Sequence, residues 1–288
     1  MKGIILAGGA GTRLYPCTKV ISKQLLPIYD KPMIYYPLSI LMMARIRDIL
    51  IISSPQGVPL LREQLGDGKR LGANFTYAQQ LKPQGLAQAF TIGRDFIDGK
   101  PVCLILGDNL FYGHGLIDTV RKATQIKDGG LIFAYQVKDP NRYGVVEFDK
   151  TGKVRSIEEK PIKPKSNFVV PGLYFYGPKV CEEAARLTLS ARGEYEIMDL
   201  NKVFLSRGQL EVKKMGRGIA WLDTGTHQSL LEAGSFVHTI QERQGMMVAC
   251  LEEIALANGW ISVEEIKAEA KRLGDSLYSA YLLSLLKI

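Results

Sequence analysis

The chain opens with a short apolar run, Lys2 to Ala7, that stops abruptly at Gly8-Gly9-Ala10-Gly11. Such a run is a buried strand feeding a tight turn. The same unit then recurs. Strand-like stretches at Asp48–Ser54, Asn74–Ala78, Val102–Leu106 and Leu131–Val137 alternate with helix-like stretches at Pro32–Ala44, Val58–Leu65, Leu86–Phe96 and Leu116–Lys127. Pro32 stands near the first turn of its helix, where its missing N–H costs nothing. Alternation at this spacing predicts an open parallel sheet covered by helices on both faces.

Beyond Val137 the rhythm changes. Tyr143–Phe148, Val154–Glu158 and Val170–Tyr176 form a strand-rich stretch, with helices resuming at Pro178–Leu189 and Ile197–Arg207. Leu210–Met215 and Ile219–Leu222 are the last strand candidates, and the chain is mostly helical from Thr226 on. No Gly/Ser- or Pro-rich linker and no internal repeat interrupts it. The expected fold class is α/β, a Rossmann-like open mixed sheet flanked by helices, with a C-terminal helical appendage.

With 288 residues, 46% of them hydrophobic and 23% charged, the chain can bury a sizeable core. The net charge of +8 suits a polyanionic ligand. Its basic residues are scattered among acids and form no arm or tail, so nucleic acid is not the expected partner. Cys17, Cys103, Cys181 and Cys250 form no CxxC pair and have no histidine cluster beside them. Zinc and disulfides are therefore not expected, and free thiols in a reducing cytoplasm are. The apolar run of MKGIILAGG is too short for a signal peptide, and no stretch approaches the roughly 18 apolar residues of a membrane span.

Glycines at 8, 9 and 11 let backbone amides approach a ligand closely, and successive N–H groups can wrap phosphate oxygens. Two familiar loops are excluded. No Lys-Ser/Thr stands at the P-loop offset, and Leu14 occupies the place of the third glycine of a dinucleotide fingerprint. Beyond the loop stand Arg13 and then Lys23-Gln24. An arginine fork and a lysine point charge beyond a glycine loop suit a triphosphate, although each alone also reads as a solvated surface charge. Asp108 lies just past a strand, where ligands of open α/β sheets bind, and Asp223 comes just after another. Either could instead be a turn or helix-capping residue.

The phrases LAGGAGTRLYPCT and KQLLPIYDKPMIYYPLS, succeeded in order by LGDNLFYGHG, RYGVVEFD, EEKP, KSNF, GLYFY, RGE and AWLDTGTHQSLLEAG, cover the chain to about Trp260. Together they resemble the sugar nucleotidyltransferases, and within them the thymidylyltransferase branch. The resemblance implies transfer of a thymidylyl group from dTTP to glucose-1-phosphate with release of pyrophosphate, assisted by Mg2+. That reaction is a first step toward dTDP-sugars such as dTDP-rhamnose. It also implies a cytoplasmic homotetramer with a second, regulatory nucleotide-sugar site near Arg217, Arg243 and Cys250–Ile254, although Ala257 replaces a basic residue there. The implied division is a catalytic unit of residues 1–240, with a nucleotide half over 1–110 and a sugar-phosphate half over 111–225, and an appendage of residues 241–288.

By the same resemblance Arg13, Lys23 and Lys160 are the catalytic cations. Gly8, Gly9, Gly11, Thr12, Gln24, Gln80, Gly85 and Asn109 bind the nucleotide. A glutamine amide can both donate to and accept from a thymine edge. Asn109 would contact the deoxyribose or order Asp108. Tyr143, Gly144, Glu159, Val170 and Gly172 line the sugar pocket, the glycines admitting a close approach of the ring, and Arg192 and Glu194 lie on a supporting loop. Asp108 and Asp223 are the Mg2+ ligands, their strand ends converging in one sheet. His114, His227 and His238 are not needed as bases, because the attacking phosphate oxygen is already ionised near neutral pH. Pro171, Tyr195 and Met198 depart from the family pattern near the sugar pocket, which bears on sugar specificity. The rival readings are a nucleotidyltransferase of the same fold using UTP or another hexose-1-phosphate, and a non-catalytic nucleotide-sugar sensor.

Overall fold

The structure, a computed structural model, describes residues 1–287. In chain order the elements are β1 (Lys2–Ala7), β2 (Pro27–Ile28), β3 (Lys31–Pro32), α1 (Tyr35–Met43), β4 (Asp48–Ser53), α2 (Gly57–Leu65), β5 (Asn74–Gln79), α3 (Gln88–Ile92) and α4 (Arg94–Ile97). Next come β6 (Val102–Leu106), β7 (Asn109–Gly113), α5 (Leu116–Ala123), β8 (Gly130–Gln136), β9 (Gly144–Phe148), β10 (Val154–Glu159), β11 (Phe168–Val169) and β12 (Leu173–Tyr176). The last are α6 (Val180–Ala185), α7 (Ile197–Ser206), β13 (Leu210–Lys214), β14 (Ile219–Asp223), α8 (His227–Gln244), α9 (Leu251–Ala257), α10 (Val263–Arg272) and α11 (Leu277–Ser284).

Ten strands form one mixed sheet. Its first part is parallel, with β4 on one side of β1 and β6 on the other, and β5 beyond β4. β12 then pairs antiparallel with β6 and with β8, and β13 runs parallel to β8. The β9–β10 hairpin completes the far edge, joined through β11. Because β1 has a neighbour on each side, chain connections leave it in opposite directions. The carboxyl ends of β1 and β6 therefore open a crevice at the switch point.

Side chains of β1 alternate between the sheet's two faces. Ile5 and Ala7 join a core with α1, α2, α5 and the C-terminal helices, while Ile4 and Leu6 join another with Phe90, Tyr176, Leu200 and Phe204. Helix α1 is buried along nearly its whole length. A helix apolar all round needs cover on every side. Here α9 supplies the outer layer, with Leu251 and Ala255 packed into the same core.

Several elements differ from the sequence expectation. The helix expected from Pro32 begins at Tyr35, because Lys31–Pro32 pairs with Pro27–Ile28 in a small hairpin. The helix expected over Leu86–Phe96 breaks at Gly93 into α3 and α4; a side chain at Gly93 would press on Leu50 and Ile4 at 3.0–3.1 Å. The strand expected over Val170–Tyr176 begins only at Leu173, as β12; Val170–Gly172 link it to the short β11, which lies before the expected span. β14 is not in the main sheet. It pairs antiparallel with β7, a strand that the sequence pattern does not announce, in a separate ribbon whose register sets Asp223 opposite Asn109.

Immediately after that ribbon Thr226 caps α8. Its hydroxyl accepts from Ser229 N (3.2 Å) and its own N–H donates to Ser229 Oγ (3.0 Å). Helix capping is thus the work of Thr226, leaving Asp223 free for another role. Thr226→Ala should lower stability by about 1 kcal/mol, and Thr226→Ser by less, since serine keeps the acceptor. Thermal unfolding of the two variants beside the parent chain checks this.

Candidate active site

Two cavities meet above the carboxyl ends of β1 and β6. The first, of about 330 Å³, is lined by Gly8, Gly9, Gly11, Thr12, Arg13, Lys23, Gln24, Gln80 and Gly85. The second, of about 250 Å³, is lined by Asn109, Tyr143, Gly144, Glu159, Lys160, Val170, Gly172 and Asp223. Arg13 and Asp108 belong to both, as do Leu86, Leu106 and Glu194. Apart from Asn109, expected on the nucleotide side but lining the second lobe, the residues expected to bind two different ligands line two lobes with a common wall.

In the first lobe Gly11 has a left-handed backbone (φ 63°), and Thr18 Oγ1 donates to its carbonyl at 2.7 Å, pinning the loop. A side chain at Gly8 would strike the Gln80 carboxamide. Gln80 is 4% exposed and its Nε2 donates to Gln88 Oε1 at 2.7 Å, so part of the amide expected to read a base is held by the protein. Gln24 is 3% exposed and its Oε1 accepts from Ser22 Oγ at 2.9 Å. Lys23, 6% exposed, is ion-paired with Asp108. A buried ammonium needs such a partner.

Asn109 ties the lobes together. Its Nδ2 donates to Asp108 Oδ1 (2.8 Å), and its Oδ1 accepts from Gly172 N (3.1 Å) and Trp221 Nε1 (2.6 Å). The amide orders Asp108, one of the two roles expected of it. Gly172 is glycine because a Cβ would lie 2.6 Å from Leu106 and 2.8 Å from Asn109 Oδ1, and Gly144 because a Cβ would lie 2.6 Å from Met198 Sδ. At both glycines the Cβ position is thus taken by protein, while both residues line the second lobe.

Asp223 reaches the cleft from the ribbon. Thr224 N–H and Oγ1–H both donate to the Asp108 carbonyl, at 3.1 and 2.8 Å, locking the end of β14 to the Asp108 turn. Burial, and next the Asp108 carboxylate, push the Asp223 carboxyl above its usual range, while Lys23, Arg13 and Arg142 pull it back. Tyr143 Oη donates to Asp223 Oδ2 at 3.4 Å. Asp108 and Asp223 both line the second lobe, and Asp223 is carried there by the β7–β14 ribbon, not, as expected, by a strand end of the main sheet. A side chain at Gly225 would come within 2.8 Å of Asp223 Oδ1 and 3.0 Å of Arg13 Nη2, so this glycine leaves room for both groups.

In the second lobe Glu159 is raised above its usual range chiefly by burial, against the pull of Lys160 and Arg192, each 3.6 Å away. Arg192 also holds Glu194 (2.9 Å) and Glu196 (2.9 Å). His114 and His238 are exposed, and His227 Nε2 contacts the Tyr15 carbonyl at 3.1 Å, consistent with a structural place at the start of α8.

The family profile for nucleotidyl transferase matches residues 2–240. The chain belongs to the nucleotidyl transferase family. It is 59% identical over 286 residues to the glucose-1-phosphate thymidylyltransferase of Xanthomonas campestris pv. campestris, a match covering 99% of this chain and 97% of that one. It is 56% identical over 287 residues to the enzyme of the same name from Neisseria meningitidis, across the full length of both. Among solved structures it is similar to a Bacillus anthracis protein assigned as a glucose-1-phosphate thymidylyltransferase and crystallised with a sucrose. That match has 42% identity and a TM-score of 0.76, covering 82% of this chain and 94% of that one. A UDP-glucose pyrophosphorylase bound to UDP-glucose shares the fold at 24% identity, with a TM-score of 0.73 over 83% of this chain and 98% of that one.

Several lining residues escape sequence reasoning. Arg142, Tyr174, Glu196 and Trp221 face the second lobe, and Pro83 and Gly225 the first. Arg142 stands one residue before Tyr143, and Trp221 two before Asp223, so motif context could have found both. Glu196 carries no signal of its own, because its place depends on Arg192 reaching back to it.

Lys160 is in left-handed backbone (φ 44°), its N–H donating to the Tyr143 carbonyl at 3.0 Å. For a residue with a side chain this costs about 1–2 kcal/mol. Glycine would relieve the strain but adds about 0.5–1 kcal/mol of unfolded-state entropy. Lys160→Gly should therefore match or exceed the parent in stability by up to about 1 kcal/mol, and exceed Lys160→Ala, which keeps the strain. If Lys160 has the expected role of gripping a sugar phosphate, both should also lose affinity for glucose-1-phosphate. Melting temperatures and glucose-1-phosphate titrations on the three proteins check this.

Proposed function

We propose that the chain transfers the thymidylyl group of dTTP to glucose-1-phosphate, giving dTDP-glucose and pyrophosphate. The observation that carries the reading is the shared wall: Arg13 and Asp108 stand where a triphosphate in the first lobe would meet a sugar phosphate in the second. The names of relatives aligned over nearly the whole length support the choice of substrates.

A phosphate oxygen of glucose-1-phosphate attacks the α-phosphorus of dTTP, forming a P–O bond as the bond to pyrophosphate breaks. The attacking oxygen is already ionised, so no base is required. The protein must align two anions and neutralise charge. The amides of Gly8 to Gly11 cradle the triphosphate. Arg13 offers its fork to the leaving pyrophosphate, and Lys23 shares its charge between Asp108 and the phosphates. Gln24, Gln80 and Gly85 hold the nucleotide, with Gln80 Oε1 left to accept from a base. Lys160 grips the sugar phosphate, and Glu159 and the main chain of Tyr143–Gly144 and Val170–Gly172 take the sugar hydroxyls.

The donor set suits a small divalent cation. Asp108 and Asp223 offer hard oxygens, and Asp223 is raised partly by its like-charged neighbour, a conflict that a cation between them would relieve. These two would hold Mg2+, which when bound supplies Lewis-acid charge neutralisation and a template for the phosphates.

We also read residues 241–288 as a helical appendage to a catalytic unit of residues 1–240, supported by where the family match ends, although α8 runs across that limit. The same reading makes the protein a cytoplasmic homotetramer. Among the described residues no helix is long and apolar enough to cross a membrane. For a regulatory site, a cavity of about 280 Å³ lies beside Cys250–Ile254, lined also by Arg121 and Ala257; Arg217 and Arg243 are not among its walls.

Purified protein should release pyrophosphate from dTTP only with glucose-1-phosphate and a divalent cation present. A panel of nucleoside triphosphates and hexose-1-phosphates decides it: turnover with no hexose-1-phosphate removes the enzyme reading, and equal rates with UTP remove the base preference. Asp108→Asn and Asp223→Asn should each raise the magnesium concentration for half-maximal rate. If both act through one ion, the double variant should fall well short of the summed effects. Full additivity in magnesium titrations would assign the two carboxylates to separate tasks.

A further inference from the structure

The two lobes are joined by more than their shared wall. On the nucleotide side, the loop after β5 carries Gln84 and Gly85; on the sugar side, the loop before α7 carries Arg192 to Glu196. These loops are stitched by main-chain hydrogen bonds. Tyr195 N–H donates to the Gln84 carbonyl at 2.8 Å, and Ala87 N–H donates to the Tyr195 carbonyl at 3.2 Å. Gly85 sits inside the stitch with φ 97°, and a Cβ there would lie 2.5 Å from Tyr195 O and 2.7 Å from Tyr195 N. Any side chain at position 85 would push the loops apart.

From Tyr195 the connection continues through charge. Arg192 Nε and Nη2 donate to the two carboxylate oxygens of Glu196 at 3.0 and 2.9 Å, and Nη2 also meets Glu194 at 2.9 Å and Glu159 at 3.6 Å. Glu196 is buried and takes a third bond, from Ser190 Oγ at 2.8 Å, so Arg192 is anchored at its root. A paired guanidinium holds its position far better than a lone long side chain. A shift of the Gln84–Gly85 loop must therefore move Tyr195, Arg192 and the side chain facing them in the sugar lobe, Glu159. Next to Glu159 stands Lys160, its backbone already strained.

We propose that Gly85 and Arg192 are positioning residues at the two ends of a clasp, through which a nucleotide seated in the first lobe organises Glu159 and Lys160 for the sugar phosphate. The inference rests on the proposed reaction for its ligands. Neither residue needs to touch the reacting atoms for the clasp to work. Its signature is a coupling between binding events, and such coupling must be reciprocal.

The test uses the full chain with magnesium, glucose-1-phosphate and an unreactive dTTP analogue carrying a methylene between the α- and β-phosphorus. The dissociation constant of glucose-1-phosphate is measured by calorimetry with and without saturating analogue. In the parent chain the analogue should tighten glucose-1-phosphate several-fold to about a hundredfold, the ordinary range of site coupling. Gly85→Ala, which parts the two loops, should bring that ratio close to one when the analogue, its own affinity measured alongside, still saturates the variant. Arg192→Ala should also abolish the ratio, and Arg192→Lys, able to hold one carboxylate but not two, should restore part of it. Tyr195→Leu keeps the main-chain stitch and should keep the ratio. Should Gly85→Ala fail to fold, the half-exposed Arg192 series carries the test alone. A parent chain that binds both ligands independently, or a ratio that survives in Arg192→Ala, overturns the clasp and leaves the proposed reaction standing. A parent chain that binds neither ligand overturns both.

Discussion

The turn Gly107-Asp108-Asn109 is where the molecule's separate parts are made to agree. β6 ends there inside the ten-stranded sheet, and β7 begins there as half of a separate ribbon. Asn109 holds the junction by giving an N–H to Asp108 and taking N–H groups from Gly172 and Trp221. The amide is buried, so each of its bonds is made at low local dielectric, where an unmet partner would cost about 1–3 kcal/mol. One side chain therefore fixes the aspartate common to both lobes and, in the second, the main chain at Gly172 and the Trp221 ring.

Charge is arranged by that geometry. Asp108 and Asp223 both line the second lobe; Lys23 is paired with Asp108, and the charges of Lys23, Arg13 and Arg142 act on Asp223. Lys23 is nearly buried yet paired, which is the condition on which a protein can keep an ammonium there. A site arranged this way is suited to anions and a cation arriving together. It stores its positive charge behind carboxylates that a bound metal and phosphates can relieve. In the second lobe Arg192 plays the corresponding part, holding three glutamates in register rather than facing solvent alone.

The glycines illustrate how chemistry and packing share positions. Gly11 and Gly85 use backbone conformations that side chains rarely adopt. Gly144 and Gly172 have no such need; they are small because Met198, Leu106 and Asn109 occupy the neighbouring space. From sequence all four look like places where a ligand approaches, because a glycine carries no mark of what fills the space beside it. Only for the first pair does backbone geometry itself demand the residue. Likewise Gln80 looks free to read a base, while half of its amide is bound to Gln88.

Much of this protein is written locally. Alternating apolar runs and helical stretches announce the parallel sheet, because a strand or helix must bury one face and its periodicity records that need. The glycine loop, Arg13 and the Asp108 turn are legible from the same strands, since open sheets bind ligands at strand ends. The breaks at Gly93 and at Val170–Gly172, and the hairpin that delays α1, are not legible, for they are set by what packs against them. The pairing of β14 with β7 was decided only in three dimensions. Both strands are short and apolar and would satisfy several partners; the register that sets Asp223 opposite Asn109 comes from long-range hydrogen bonds at Thr224, Trp221 and Asn109. Sequence named many of the groups that line the two lobes, because residue chemistry is local, but not Arg142, Tyr174, Glu196 or Trp221. Tertiary structure decided which of them meet, because the contacts joining Asp108 to Asp223, or Gly85 to Arg192, cross distances along the chain that no periodicity encodes.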